Sequence, residues 1–126
     1  MIASSVARPI SLSQQPAVAR GQLGRLLADA GWPGDVDLVV LAVHEALVNS
    51  LHHAGGVTRA TAAMDGDDVV VEVYDRGRGF GMPSSPVLPE PAAERGRGLF
   101  LIRRLASEAD VSVVGGEVCL VLRFRP

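Results

Sequence analysis

The chain has 126 residues, 48% of them hydrophobic, which suffices for one domain around a single compact core. Twelve basic residues against 14 acidic ones leave a formal net charge of -2, so no general field draws the protein to nucleic acid or to an anionic membrane. Every basic residue is an arginine, which excludes lysine-dependent phosphate sites, and Cys119 is the sole cysteine, which excludes an internal disulfide and a cysteine-rich zinc site.

A reducing, cytoplasmic setting suits that cysteine usage. Arg8 and Pro9 stand where a secretory signal would need its apolar core, and no apolar run approaches membrane-spanning length. The expectation is a soluble intracellular protein forming one domain over 1–126.

Taken in order, residues 1–8 are expected to fray, Pro9 to Ser13 to form an edge strand, and Ser13 to Pro16 to open a helix over Ala17 to Ala30. Gly31-Trp32-Pro33-Gly34 ends it. From Asp35 to Ala54 the apolar residues Val36, Val40, Val43, Leu47, Leu51 and Ala54 recur at helical spacing, and Gly55-Gly56 stops the helix. Val57 to Met64 and Val69 to Asp75 flank Asp65-Gly66-Asp67-Asp68, which reads as an antiparallel hairpin. Residues 81–94 hold Pro83, Pro86, Pro89 and Pro91 and read as a loop or lid. A third helix is expected from about Gly98 to Ser107, then a second hairpin, Asp110 to Val114 and Glu117 to Phe124, joined by Gly115-Gly116. Three helices and about five strands result.

On the second helix Glu45, Asn49 and His53 are spaced i, i+4, i+8 and share one face, roughly 160° from the apolar stripe. A solvated polar face is one reading. Leu38, Leu41 and Ala42 occupy the same sector, however, and a polar trio among apolar neighbours points to partial burial and hence to partners. A zinc-protease pattern would need a second histidine four residues after His44, where Val48 stands. His44 as a phosphate acceptor lies about 100° off the Glu45 face, and a lone helical histidine is more often structural.

Asp75-Arg76-Gly77-Arg78-Gly79 follows a strand, where a carboxylate can be held by the sheet while glycines admit a flat ligand. An ionised Asp only accepts hydrogen bonds, which suits an exocyclic amino group such as adenine's; the plainer alternative is a strand-to-loop turn. Arg95-Gly96-Arg97-Gly98-Leu99 precedes an amphipathic run, and backbone N–H groups at a helix start favour phosphate, with Arg95 or Arg97 adding charge. Its plainer alternative is helix entry with solvent-facing arginines.

The ordered set resembles the GHKL ATPase superfamily, and within it the RsbW-like anti-sigma-factor serine/threonine kinases. The family's first box, Glu-x-x-x-Asn-x-x-x-His, matches Glu45 to His53; its second, Asp-x-Gly-x-Gly, matches Asp75 to Gly79; its third, Gly-x-Gly-Leu, matches Gly96 to Leu99. The proline-rich stretch falls at the family's ATP lid. One departure is His52, a partly charged residue where the family often has a fixed cation before the box histidine. Arginines at 76, 78, 95 and 97 also give a more basic rim than the motif requires.

This resemblance implies an α+β fold, a two-layer α/β sandwich of the Bergerat type with three helices on one face of a mostly antiparallel sheet. It implies ATP and Mg²⁺ as cofactors, with Asn49 on the metal, Asp75 on the adenine amino group, Gly77 and Gly79 allowing close backbone approach, and Gly96, Gly98 and Leu99 cradling phosphate. Glu45 would be the general base. The implied partners are an antagonist protein that presents a serine, a sigma factor in many members, and a second copy of the chain, since such kinases are often dimers. A nucleotide-binding module without phosphoryl transfer uses the same pocket residues, so the motifs do not separate the two. The ATP domain of a histidine kinase fits less well, because only about 34 residues precede the first-box helix and no dimerising helical hairpin fits there.

Overall fold

A computed structural model describes residues 8–53, 57–76 and 94–126. In chain order these form β1 (Ile10–Leu12), α1 (Pro16–Asp29), α2 (Val36–His53), β2 (Val57–Asp65), β3 (Asp68–Asp75), α3 (Glu94–Leu105), β4 (Glu108–Val114) and β5 (Glu117–Phe124). The strands make one sheet in the order β1-β2-β3-β5-β4, antiparallel at every step. This is the α+β sandwich that the sequence implies. The expected stop at Gly55-Gly56 lies outside the described residues, as do the frayed start over 1–8 except Arg8 and the lid over 81–94 except Glu94, which begins α3.

Period-two patterning decides which face is covered. In β3, Val69, Val71 and Val73 are buried, and across the sheet they meet Phe124, Leu122 and Leu120 of β5 and Met64, Ala62 and Ala60 of β2. The helices supply the other half of this core through Ala19, Leu23 and Leu27 of α1, Val39, Val43 and Leu47 of α2, and Ile102 of α3. Each fully buried leucine or valine removed from water contributes roughly 1.5–3 kcal/mol.

Local chemistry sets the helix ends. Pro16 occupies the first turn of α1, where its missing N–H costs nothing. At the other end Gly31 takes a φ of 62°, and the N–H groups of Gly31 and Trp32 donate to the carbonyls of Ala28 and Leu27, each at 3.0 Å. These are the two bonds of a Schellman cap. Asp35 then caps α2, its Oδ1 accepting from the Leu38 N–H at 3.2 Å.

The end of the sheet away from Asp75 is tied down by side chains. Trp32, the only tryptophan, is buried and donates from Nε1 to the Asp67 carbonyl at 2.8 Å, joining the α1–α2 connection to the β2–β3 turn. Asp65 and Asp68 face each other across that turn, and Arg123 of β5 donates to both carboxylates, at 2.7 and 2.8 Å. The two carboxylates hold the guanidinium pKa above its ordinary value. On the same uncovered face the Arg59 guanidinium lies 3.8 Å over the Tyr74 ring, and burial pushes the Cys119 thiol pKa up.

Two features differ from expectation. The buried face of α2 is formed by Val39, Ala42, Val43, Ala46, Leu47 and Ser50, while Leu51 is 44% exposed, so the helix is rolled about 60° from the stripe its largest apolar residues suggest. Small alanines pack against the sheet because they let the helix approach closely. Also, α3 starts at Glu94, four residues before Gly98, so Arg95 to Leu99 lie within its first two turns. Two helical glycines cost about 1 kcal/mol each, and burial of Ile102 and Ala106 further along outweighs that propensity.

A Cβ built on Gly34 would fall 2.3 Å from the Trp32 ring. We therefore expect Gly34→Ala to cost about 1–3 kcal/mol of stability and to shift the emission of the single tryptophan, read by thermal unfolding followed by fluorescence. Arg123→Ala should cost about 1 kcal/mol by leaving Asp65 and Asp68 opposed, and 0.5 M salt should shrink the difference from the parent protein.

Candidate nucleotide site

β3 delivers Asp75 to the end of the sheet, on the face covered by the helices. Its neighbours across the sheet there are Val57 and Val118, both buried, so the half-buried carboxylate stands among apolar side chains. Val57 reaches this position through a register shift between Val57 and Arg59, an irregularity of the kind that re-aims side chains near functional sites. The Thr58 hydroxyl within the shift donates to the Tyr74 carbonyl at 3.0 Å.

From the helix side, α2 meets Asp75 through Ser50. Its hydroxyl donates to Asp75 Oδ2 at 2.8 Å, bridging residues 25 apart in sequence. Ser50 is 7% exposed and is the one buried polar residue among the described residues. Asn49 precedes it, and Glu45 lies one turn back; both are half-buried, and neither side chain has a hydrogen-bond or ion-pair partner among the described residues.

The roll of α2 matters here. Measured from the centre of the buried face, Asn49 lies about 90° round the helix and Glu45 about 130°. By that arithmetic Asn49 lies nearer the buried face than Glu45 does. Both side chains are half-buried. His53 is the last residue of α2. His44 is half-buried with its Nδ1 enclosed and unpartnered among the described residues.

The third segment approaches through α3, which packs along α2. Arg95, Gly96, Arg97, Gly98 and Leu99 all belong to this helix, so the backbone N–H groups available for an anion are those of its first turn, with Gly98 and Leu99 already beyond it. Gly77 and Gly79 lie outside the described residues. Sequence reasoning assigned Glu45, Asn49 and Asp75 to one site; the fold brings Asp75 against α2 at Ser50, the residue after Asn49. It missed Ser50, although a serine in line with Val39, Val43 and Leu47 at helical spacing was the available signal.

A carboxylate at a strand end, bonded to a helix that carries Asn and Glu one turn apart, agrees with the GHKL-type domain that the sequence resemblance implies. The chain belongs to the histidine kinase-like ATPase domain family, whose model matches residues 10–124. Among solved structures it is similar to the RsbU and RsbW domains of Rv1364c from Mycobacterium tuberculosis, with a TM-score of 0.66 and 25% identity. That match covers 94% of this chain and 32% of the other, so the present sequence spans about a third of that protein's length. No curated protein matches the chain. No helix among the described residues is long and apolar enough to cross a membrane.

Proposed function

We propose that the protein is an ATP- and Mg²⁺-dependent serine/threonine protein kinase that phosphorylates an antagonist protein in a partner switch, with an anti-sigma-type role. The observation that supports this reading is the Ser50–Asp75 bond, which brings the strand-end carboxylate against the helix that carries Asn49 and Glu45. Similarity to a structure of RsbU and RsbW domains supports the partner-switch component.

In this proposal Asp75 accepts from the adenine amino group, and Val57 and Val118 offer apolar surface to the ring. Gly77 and Gly79 let the backbone approach the nucleotide closely, and the start of α3, with Arg95, Gly96, Arg97, Gly98 and Leu99, serves the phosphates. The Asn49 amide oxygen is a hard, neutral ligand without a competing partner among the described residues, which fits Mg²⁺ bound mainly by phosphates and water. When bound, that ion offsets charge on the phosphate oxygens.

Glu45 then has the role of base. It takes the proton of an incoming serine hydroxyl as that oxygen bonds to the γ-phosphorus and the bond to the β–γ bridging oxygen breaks, releasing ADP. A half-buried carboxylate with no cation beside it among the described residues is available to accept that proton.

With Mg²⁺-ATP and a small antagonist protein encoded nearby, the purified protein should transfer phosphate to a serine. Glu45→Gln should reduce transfer by at least about a hundredfold with ATP affinity retained, measured by labelled-phosphate transfer and calorimetry. Equal transfer by that variant would remove Glu45 as base; ATP binding without transfer by the parent protein would make the domain a nucleotide-dependent binding module. Asp75→Asn should abolish measurable adenine nucleotide binding, and unchanged affinity would sink the pocket assignment.

A further inference from the structure

We infer that Ser50 is a positioning residue for nucleotide recognition, holding the Asp75 carboxylate in the orientation that discriminates adenine from other purines. This inference rests on the assignment of Asp75 as the adenine acceptor.

Three observations carry it. Ser50 occupies a core position, aligned with Val39, Val43 and Leu47, where an alanine like Ala42 or Ala46 would pack as well and cost nothing in polarity. A serine inside a helix ordinarily returns its hydroxyl to a carbonyl one turn back or points it to water. Here the hydroxyl instead leaves the helix and donates to Asp75 Oδ2 at 2.8 Å. Burying a hydroxyl at 7% exposure is tolerated because the acceptor is a carboxylate, which makes the stronger class of hydrogen bond.

The consequence is geometric. A carboxylate at a strand end turns easily about its terminal torsion, which is broad and roughly two-fold. The Ser50 hydroxyl on Oδ2 restricts that rotation and with it the direction along which a ligand N–H must arrive. The same bond ties α2 to β3 next to Asn49, so the adenine contact and the Asn49 amide are registered to one another. An acceptor with a restricted plane rewards the adenine 6-amino group and penalises a carbonyl oxygen at the same place, since two acceptors would then face each other.

The test compares ATP with inosine triphosphate, which carries that carbonyl, by calorimetric titration of the full chain and its variants. The parent protein should prefer ATP. Ser50→Ala should weaken ATP binding by about tenfold and shrink the ATP-to-ITP preference, while Ser50→Thr, which keeps the hydroxyl, should restore the preference. A purely structural role would lower the unfolding temperature or weaken both nucleotides alike with the preference intact, and that result overturns the inference. Should Ser50→Ala fail to fold, Ser50→Cys, close in volume and a weak donor, carries the same comparison. Asp75→Asn separates the two levels. If it abolishes ATP binding while Ser50→Ala leaves the preference intact, Ser50 loses its role and the pocket stands. If it leaves ATP affinity unchanged, the adenine assignment fails and the inference with it.

Discussion

The bond from the Ser50 hydroxyl to Asp75 Oδ2 joins α2 to β3 by a polar contact at the end of the sheet, and the placement of Asp75 depends on it. Elsewhere α2 and the sheet are joined by apolar surfaces, which fix how close the layers lie but leave some freedom of roll and slide. A directional bond to a charged acceptor removes that freedom at one point. The point coincides with the end of β3 where Asp75 stands, so packing geometry and ligand geometry are set by the same residue pair.

This coupling also orders the roles of the first-box residues. Rolled onto its alanine-rich face, α2 turns Asn49 closer to the buried side than Glu45. In the proposed function, a nucleotide whose base reached Asp75 would carry its phosphates past Asn49 toward Glu45. Membership of the histidine kinase-like ATPase family stands apart from those residue roles, which belong to the proposal.

Much of the fold was legible because its signals are local. Asp65-Gly66-Asp67-Asp68 and Gly115-Gly116 give both hairpins, with positive φ at Gly66, Gly115 and Gly116 as such turns require, and all eight regular elements were anticipated in type and order. What was not legible depended on partners distant in sequence. The roll of α2 is decided by how closely the sheet lets Ala42 and Ala46 approach, which no helical wheel of its large residues contains. The early start of α3 reflects tertiary burial of Ile102 and Ala106 overriding glycine's poor propensity. Ser50 escaped notice because its meaning lies in Asp75, which only the fold brings near.

Trp32 and Arg123 give the sheet a different character at its opposite end. The indole clasps the backbone of the β2–β3 turn and the guanidinium spans both of its flanking aspartates, about 23 Å along β3 from Asp75. The domain is therefore polar in a mechanical sense: one end is an anchorage and the other carries the Ser50–Asp75 contact, joined by a single strand that belongs to both. Changes in sequence at the anchorage can adjust how firmly the chain holds together without reshaping the surroundings of Asp75. Stability and specificity are thereby left separately adjustable, even in a domain small enough to have only one core.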